Sequence, residues 1–195
     1  MRFYIFFLFL LLSPKNLLFA QTGGADFNGD GISDVVGFEN QHDGSANELA
    51  ITWISSADAS VNRLEYGKSI QSSVPADYDG DGITDFAIVG LNDLGEYLWQ
   101  YKLSSNSGVE TSDIFGIKDD LVFYGCSFDN DLKADRAVIN ATGLFTYEKS
   151  SDDTTAVISL AAGLDRLLCA DLDGDGVVSV FDYIILSDSF DLTGD

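Results

Sequence analysis

Carboxylates recur in this chain at alternating positions of a short, glycine-punctuated loop, and they do so four times. The first copy reads Asp26-Phe27-Asn28-Gly29-Asp30-Gly31-Ile32-Ser33-Asp34, and the second reads Asp77-Tyr78-Asp79-Gly80-Asp81-Gly82-Ile83-Thr84-Asp85. A degraded copy follows, Ser127-Phe128-Asp129-Asn130-Asp131-Leu132-Lys133-Ala134-Asp135. The last is Asp171-Leu172-Asp173-Gly174-Asp175-Gly176-Val177-Val178-Ser179. Oxygen groups at the first, third and fifth positions, a glycine at the sixth and a backbone carbonyl at the seventh are what wraps a calcium ion. Three or four carboxylates within ~4 to 5 Å of one another repel by a few kcal/mol per pair, even at a protein-like dielectric. Such a cluster is costly to fold without a cation, so the residues predict Ca2+ as a structural cofactor.

The loops need elements to hold them, and their spacing says which. They start at residues 26, 77, 127 and 171, a period near 50. A period of that size indicates a propeller or an array of repeats. Each interval divides into four strand-like runs rich in Val, Ile, Phe, Tyr and Leu, separated by Gly, Ser, Asn and Asp. The first interval gives 34–38, 48–55, 61–66 and 70–76. The second gives 85–90, 96–103, 110–115 and 121–126. The third gives 135–139, 143–149, 156–160 and 166–170. Four short antiparallel strands per unit is a propeller blade. The expected fold is therefore all-β, a propeller-like array of about three four-stranded blades. Smaller landmarks keep the same period: an aromatic and a serine pair in the second strand (Trp53, Ser55-Ser56; Tyr101, Ser104-Ser105; Tyr147, Ser150-Ser151), and a glycine after the third (Gly67, Gly116, Gly163). The three aromatics could line up as a sugar-stacking row, but packing between blades is the expected role.

The two ends read differently. Residues 1–20 carry Arg2 and then ten apolar residues, Phe3 to Leu12, broken by Ser13-Pro14-Lys15-Asn16, with Leu18-Phe19-Ala20 ahead of Gln21. This pattern is that of a secretory signal peptide cut after Ala20, too short and too interrupted for a membrane span. At the other end Asp182 stands at the twelfth position of the fourth loop, where an EF-hand-type loop places its closing carboxylate. Phe181, Ile184 and Ile185 follow a helical rather than an alternating pattern, so a short helix is expected there. The division is 1–20 signal peptide, 21–170 repeats and 171–195 loop and helix.

The 195-residue chain has length enough for one domain with a core. Its net charge of −22, from 32 acids against 10 bases, argues against nucleic acid and anionic membrane surfaces as partners. An exported compartment permits a disulfide between Cys126 and Cys169. The two are one residue out of phase in the repeat, however, and so should face opposite sides of equivalent strands. Two buried free thiols are the expectation.

The segment from Tyr66-Gly67 through the second loop to Gly90 resembles the FG-GAP repeat, the calcium-loop blade of integrin alpha-subunit propellers and of many bacterial surface proteins, including the related VCBS repeats. The resemblance covers roughly residues 25 to 175. It implies that Asp26, Asn28, Asp30 and Asp34 hold one ion with the Ile32 carbonyl, and that Asp77, Asp79, Asp81 and Asp85 hold another with the Ile83 carbonyl. The third loop departs from the pattern at Ser127 and Leu132, leaving Asp129, Asp131 and Asp135 as a weak or empty site. The fourth, with Asp171, Asp173, Asp175, Val177, Ser179 and Asp182, looks more like half of a dockerin type I calcium loop and helix. Three blades are too few for a closed propeller, which makes an oligomer one way of completing it.

Catalysis finds little support in the residues. His42 is the single histidine and lies in a polar loop beside Asp43, with nothing to fix a triad geometry. Calcium wrapped by such loops is coordinatively filled and has no reason to activate water. The expectation is a secreted or cell-surface, non-enzymatic module that binds protein or glycan. An accessory domain of an extracellular polysaccharide-degrading enzyme, or a dockerin-like docking appendage, is the alternative.

Overall fold

The computed structural model describes residues 25–40, 48–106, 109–129 and 131–160. Its described strands form three antiparallel sheets. Sheet one holds β1 (Val35–Asn40), β2 (Leu49–Ile54) and β3 (Val61–Glu65), in that order. Sheet two holds β4 (Ser72–Ser73), β5 (Phe86–Leu91), β6 (Glu96–Lys102) and β7 (Glu110–Ile117), again in chain order. Sheet three holds β8 (Leu121–Cys126), β9 (Asp135–Ile139), β10 (Leu144–Glu148) and β11 (Thr155–Ser159), also as a meander. Among the described residues the one helical piece is a 3-10 turn at Ser104–Asn106. The all-β expectation holds at this level. The signal peptide, His42, the 166–170 run, the fourth loop and the C-terminal helix lie outside the described residues.

The structure corrects how the strands group. The 70–76 run reads in sequence as the last strand of the first unit, but β4 pairs with β5, on the far side of the second loop. Ala76 bridges Asp85, Ser73 faces Ile88 and Ser72 faces Val89. The third loop likewise joins β8 to β9, with Cys126 opposite Asp135. The second and third acidic loops are thus each the turn of a hairpin inside one sheet, not a link between sheets. The physical reason is that the residue before the loop pairs with the ninth loop residue as the loop closes, and that closure makes the flanking strands antiparallel neighbours. Loop one starts the same ladder, with the Asp34 N–H donating to the Ala25 carbonyl at 2.6 Å.

Successive sheets pack face on face. Leu49, Tyr66 and the Ile88 side chain form one buried cluster between sheets one and two. Val74, Ala87, Val89, Trp99 and Tyr101 of sheet two form another, against which Val122 and Tyr124 of β8 pack. Two of the recurrent glycines sit under these contacts, Gly67 just after β3 and Gly116 inside β7, not after it; Gly163 lies outside the described residues. A Cβ on Gly67 would lie 2.8 Å from Ile88 Cδ1, and one on Gly116 would lie 2.7 Å from Val138 Cγ1. Each glycine is the hole that receives a side chain from the next sheet.

The equivalent aromatics pack rather than line up for a ligand. Trp53 meets Phe27 at 4.9 Å between ring centroids, Tyr101 meets Tyr78 at 4.7 Å, and Tyr147 meets Phe128 at 4.9 Å. The second loop residue therefore anchors each loop onto its own sheet, by contacts worth about 0.5 to 1.5 kcal/mol beyond area burial.

The expectation of free thiols is overturned at Cys126, which is disulfide-bonded. The one other cysteine of the chain, Cys169, lies outside the described residues. Counting faces by strict alternation fails here because β8 carries a register shift between Phe123 and Cys126, with Gly125 at φ 83°. A bulge of this kind re-aims the side chains that follow it.

Candidate metal centres

The three described loops are built on one hydrogen-bond plan. At the first position, Asp26 accepts from the N–H of Gly29 and of Gly31, both at 2.7 Å. Asp77 does the same for Gly80 and Gly82, at 2.6 and 2.8 Å. At the fifth position, Asp30, Asp81 and Asp131 accept the N–H two residues on, at 2.8, 2.8 and 2.9 Å. Their second oxygens accept the hydroxyls of Ser56, Ser104 and Ser150, at 2.8, 2.7 and 2.8 Å. At the ninth position, Asp34, Asp85 and Asp135 are buried. Each takes the backbone N–H of that same serine at 2.7 Å, and on its other oxygen the N–H of the second loop residue. The serine at the end of the sheet's central strand is thus the clamp that ties the loop to the sheet. Its recurrence is visible in sequence, but its role is not.

The plan gathers carboxylates unequally. Oxygens of Asp77, Asp79 and Asp85 lie within 4.8 Å of one another, and so do those of Asp129, Asp131 and Asp135. Loop one differs at its third position. Asn28 turns its amide nitrogen toward Asp34 Oδ1 (3.1 Å) and toward the hydroxyls of Ser55 and Ser56 (both 3.0 Å). An amide donor there does locally what a cation does in an all-acid loop. The loop that departs most from the pattern in sequence therefore gathers three acids, while one that matches it well gathers fewer.

Leu132 explains how the third loop keeps its shape. It adopts φ 71°, alongside 77° for Gly31 and 84° for Gly82 at the same position. A Cβ at either glycine would meet nothing within 4 Å. Glycine is preferred there for backbone freedom and not for space, and a leucine pointing to solvent can take the turn at a cost of about 1 to 2 kcal/mol.

Electrostatics single out the buried ninth position. Burial pushes Asp85 up from 3.8 to about 6, against the opposing N–H bonds from Ser104 and Tyr78, with the Asp79 charge adding to the rise. Burial also raises Asp135, again against two backbone donors and with Asp129 adding to it. In loop one, burial acts on Asp34 in the same sense, but the donors from Ser56 and Phe27 outweigh it and hold the group below its usual value. The donor set of the second and third loops fits a hard cation: all oxygen, mostly anionic. Asp129 Oδ1 fits it most pointedly, being a buried carboxylate oxygen with no hydrogen-bond partner. Asp129, Asp131 and Asp135 would hold the ion in loop three, and Asp77, Asp79 and Asp85 in loop two. Asp81 is tied to Ser104. Of the remaining sequence candidates, Asp26, Asn28, Asp30, Ile32 and Asp34 share loop one, whereas Asp171, Asp173, Asp175, Val177, Ser179 and Asp182 lie outside the described residues.

The loops are also chained to one another. Thr84 N–H donates to the Asp26 carbonyl and Ala134 N–H to the Asp77 carbonyl, both at 2.7 Å. A Cβ on Gly29 would lie 2.9 Å from Ile83 Cγ1, and one on Gly80 would lie 2.9 Å from Lys133 Cγ. The seventh residues of loops two and three, Ile83 and Lys133, cover the fourth residue of the loop before.

Comparison of the chain with protein-family models, with curated proteins and with solved structures finds no match.

Proposed function

We propose that this chain is a calcium-stabilised repeat module of the FG-GAP and VCBS kind, exported from the cell, which acts by binding protein or glycan and not by catalysis. In this reading the three sheets are blades of a propeller-like array, and calcium in the hairpin loops holds the ends of the blades rigid. One observation carries it: a single hydrogen-bond plan, repeated three times, brings three carboxylates within 4.8 Å of one another in two of the loops. The repulsion such clusters create is relieved by a divalent cation. The orphaned Asp129 oxygen supports the same conclusion. Loop faces held by a rigid scaffold are where binding surfaces are commonly built.

The test is a calorimetric calcium titration of the purified chain and of two variants, Asp85→Asn and Asp135→Asn. Each variant should lose one binding event and keep the other. Absence of any heat of calcium binding, or titrations unaltered by both substitutions, would remove the metal reading. Turnover of an acidic or neutral polysaccharide that vanishes with a single residue change would remove the non-catalytic one.

A further inference from the structure

The three described loops are not closed equally. In loops one and two the first residue is an aspartate, and each of its two oxygens accepts one glycine N–H: Gly29 and Gly31 on Asp26, Gly80 and Gly82 on Asp77. Loop three has Ser127 at this place, and among the described residues its hydroxyl reaches Asp131 at a long 3.4 Å. A single hydroxyl on a short arm does not span the two donors that a carboxylate takes. The sixth residue is Leu132, held at φ 71° where glycine would be at ease. Loop three nevertheless keeps its closure, with the Ser150 N–H 2.7 Å from one oxygen of Asp135 and the Phe128 N–H on the other.

A covalent bond stands beside the missing tie. The residue just before the loop is Ala25 in loop one and Ala76 in loop two, but Cys126 in loop three. Cys126 is buried and disulfide-bonded, and it lies opposite Asp135 across the β8 and β9 ladder. Asp135 is itself buried, and it is the carboxylate on which the loop closes. The crosslink thus sits next to the weak first position and across from the ninth, in the one described loop that departs from the pattern. The chain has one other cysteine, Cys169. A crosslink spanning that length of chain strongly restricts the opened state.

We propose that Cys126 is bonded to Cys169, and that this bond does for loop three what the first-position carboxylate does for the others, so that the Asp129, Asp131 and Asp135 cation site is sensitive to reduction. The cation half of the proposal rests on the calcium reading above, and the closure half does not. Reduction by a dithiol breaks the S–S bond, leaves two protein thiols and turns the dithiol into its own disulfide, a two-electron exchange. Without the crosslink the end of β8 can part from Asp135, and the donors that close the loop part with it. Loop two has Ala76 and a complete first-position carboxylate, so it is indifferent to the reductant. By reciprocity, a cation bound in loop three protects the disulfide.

The test uses the full chain, oxidised and after treatment with dithiothreitol. Peptide mapping without reductant should recover Cys126 and Cys169 in one crosslinked peptide. Alkylation of a free Cys126, or its linkage to a second chain, overturns the pairing. Hydrogen exchange of the calcium-free chain then reads the loops one by one. Reduction, or Cys169→Ala, should speed exchange at the Phe128 and Ser150 amides, which bond Asp135, by about tenfold or more, while Tyr78 and Ser104, which bond Asp85, keep their rates. Unchanged rates in loop three overturn the closure role. Equal acceleration in both loops, general unfolding included, makes the bond a staple for the whole chain and overturns its local role. In calcium, the binding event that Asp135→Asn removes should weaken on reduction and the one that Asp85→Asn removes should not. Two events that respond alike overturn the cation half. A chain that shows the exchange change but binds no calcium in either redox state removes the calcium reading, and with it the cation half, and supports the closure half.

Discussion

At the scale of the residue, loop three is the informative case. In sequence it reads as weak, because Leu132 stands where the turn wants glycine and Ser127 where it wants a carboxylate. The structure keeps the turn with Leu132 at φ 71° and its side chain 76% exposed. Leu132→Gly should therefore stabilise the chain by about 0.5 to 1 kcal/mol in a urea melt, the relief of left-handed strain exceeding the extra freedom of the unfolded chain. A loss of stability would mean that the leucine makes a contact of its own. The buried acids make a second prediction, for the calcium-free chain. Asp85 holds its proton up to about pH 6 when folded, against an ordinary 3.8. Its protonated form is the one the fold favours, so its contribution to stability is complete below about pH 4 and is lost as pH rises through 6. Asp85→Asn should flatten that slope between pH 4 and 6. An unchanged slope would assign the titration to another group. None of this was legible in sequence, because ligand-type residues show where charge collects but not which oxygens the backbone already satisfies. Asn28 is the clearest example: by type it is a calcium ligand, and by geometry it is a donor to Asp34.

At the scale of the element, the strands were legible and their partners were not. β8 (Leu121–Cys126) and β9 (Asp135–Ile139) fall where apolar runs and turn residues place them. The pairing of β4 with β5 was missed because periodicity reports strand faces and says nothing about which strand lies alongside. The glycines sort by the same distinction between local and distant causes. Gly82 at φ 84° has open space around its missing Cβ, so Gly82→Ala should cost about 1 kcal/mol through backbone strain alone. Gly67 at φ 93° would in addition set a Cβ 2.8 Å from Ile88, so Gly67→Ala should cost more, by roughly 1 to 3 kcal/mol of overpacking. Equal losses for the two in parallel urea melts would contradict the reading of Gly67 as a hole between sheets. Cys126 belongs here too, since one bulge in β8 undid the phase argument for a free thiol.

At the scale of the whole molecule, sheet, loop and neighbouring loop form one chain of dependence. The clamp serine joins each loop to its sheet, and the N–H of the eighth loop residue joins it to the loop before. Charge works against this arrangement, with a net −22 and the acids concentrated where the loops stack. In the proposed reading, cations in the loops would relieve that repulsion and lock the hairpin ends at the same time. Stability should then depend on calcium far more than solubility does, and it should do so through loops two and three together. The most direct measurement is the melting temperature of the purified chain in millimolar calcium, repeated after chelation. The account predicts a fall of ten degrees or more on chelation, the size that a few kcal/mol of lost binding energy gives in a domain of this length, recovered when calcium is restored. Superimposable melting curves would contradict it and leave the acidic loops as solvated turns.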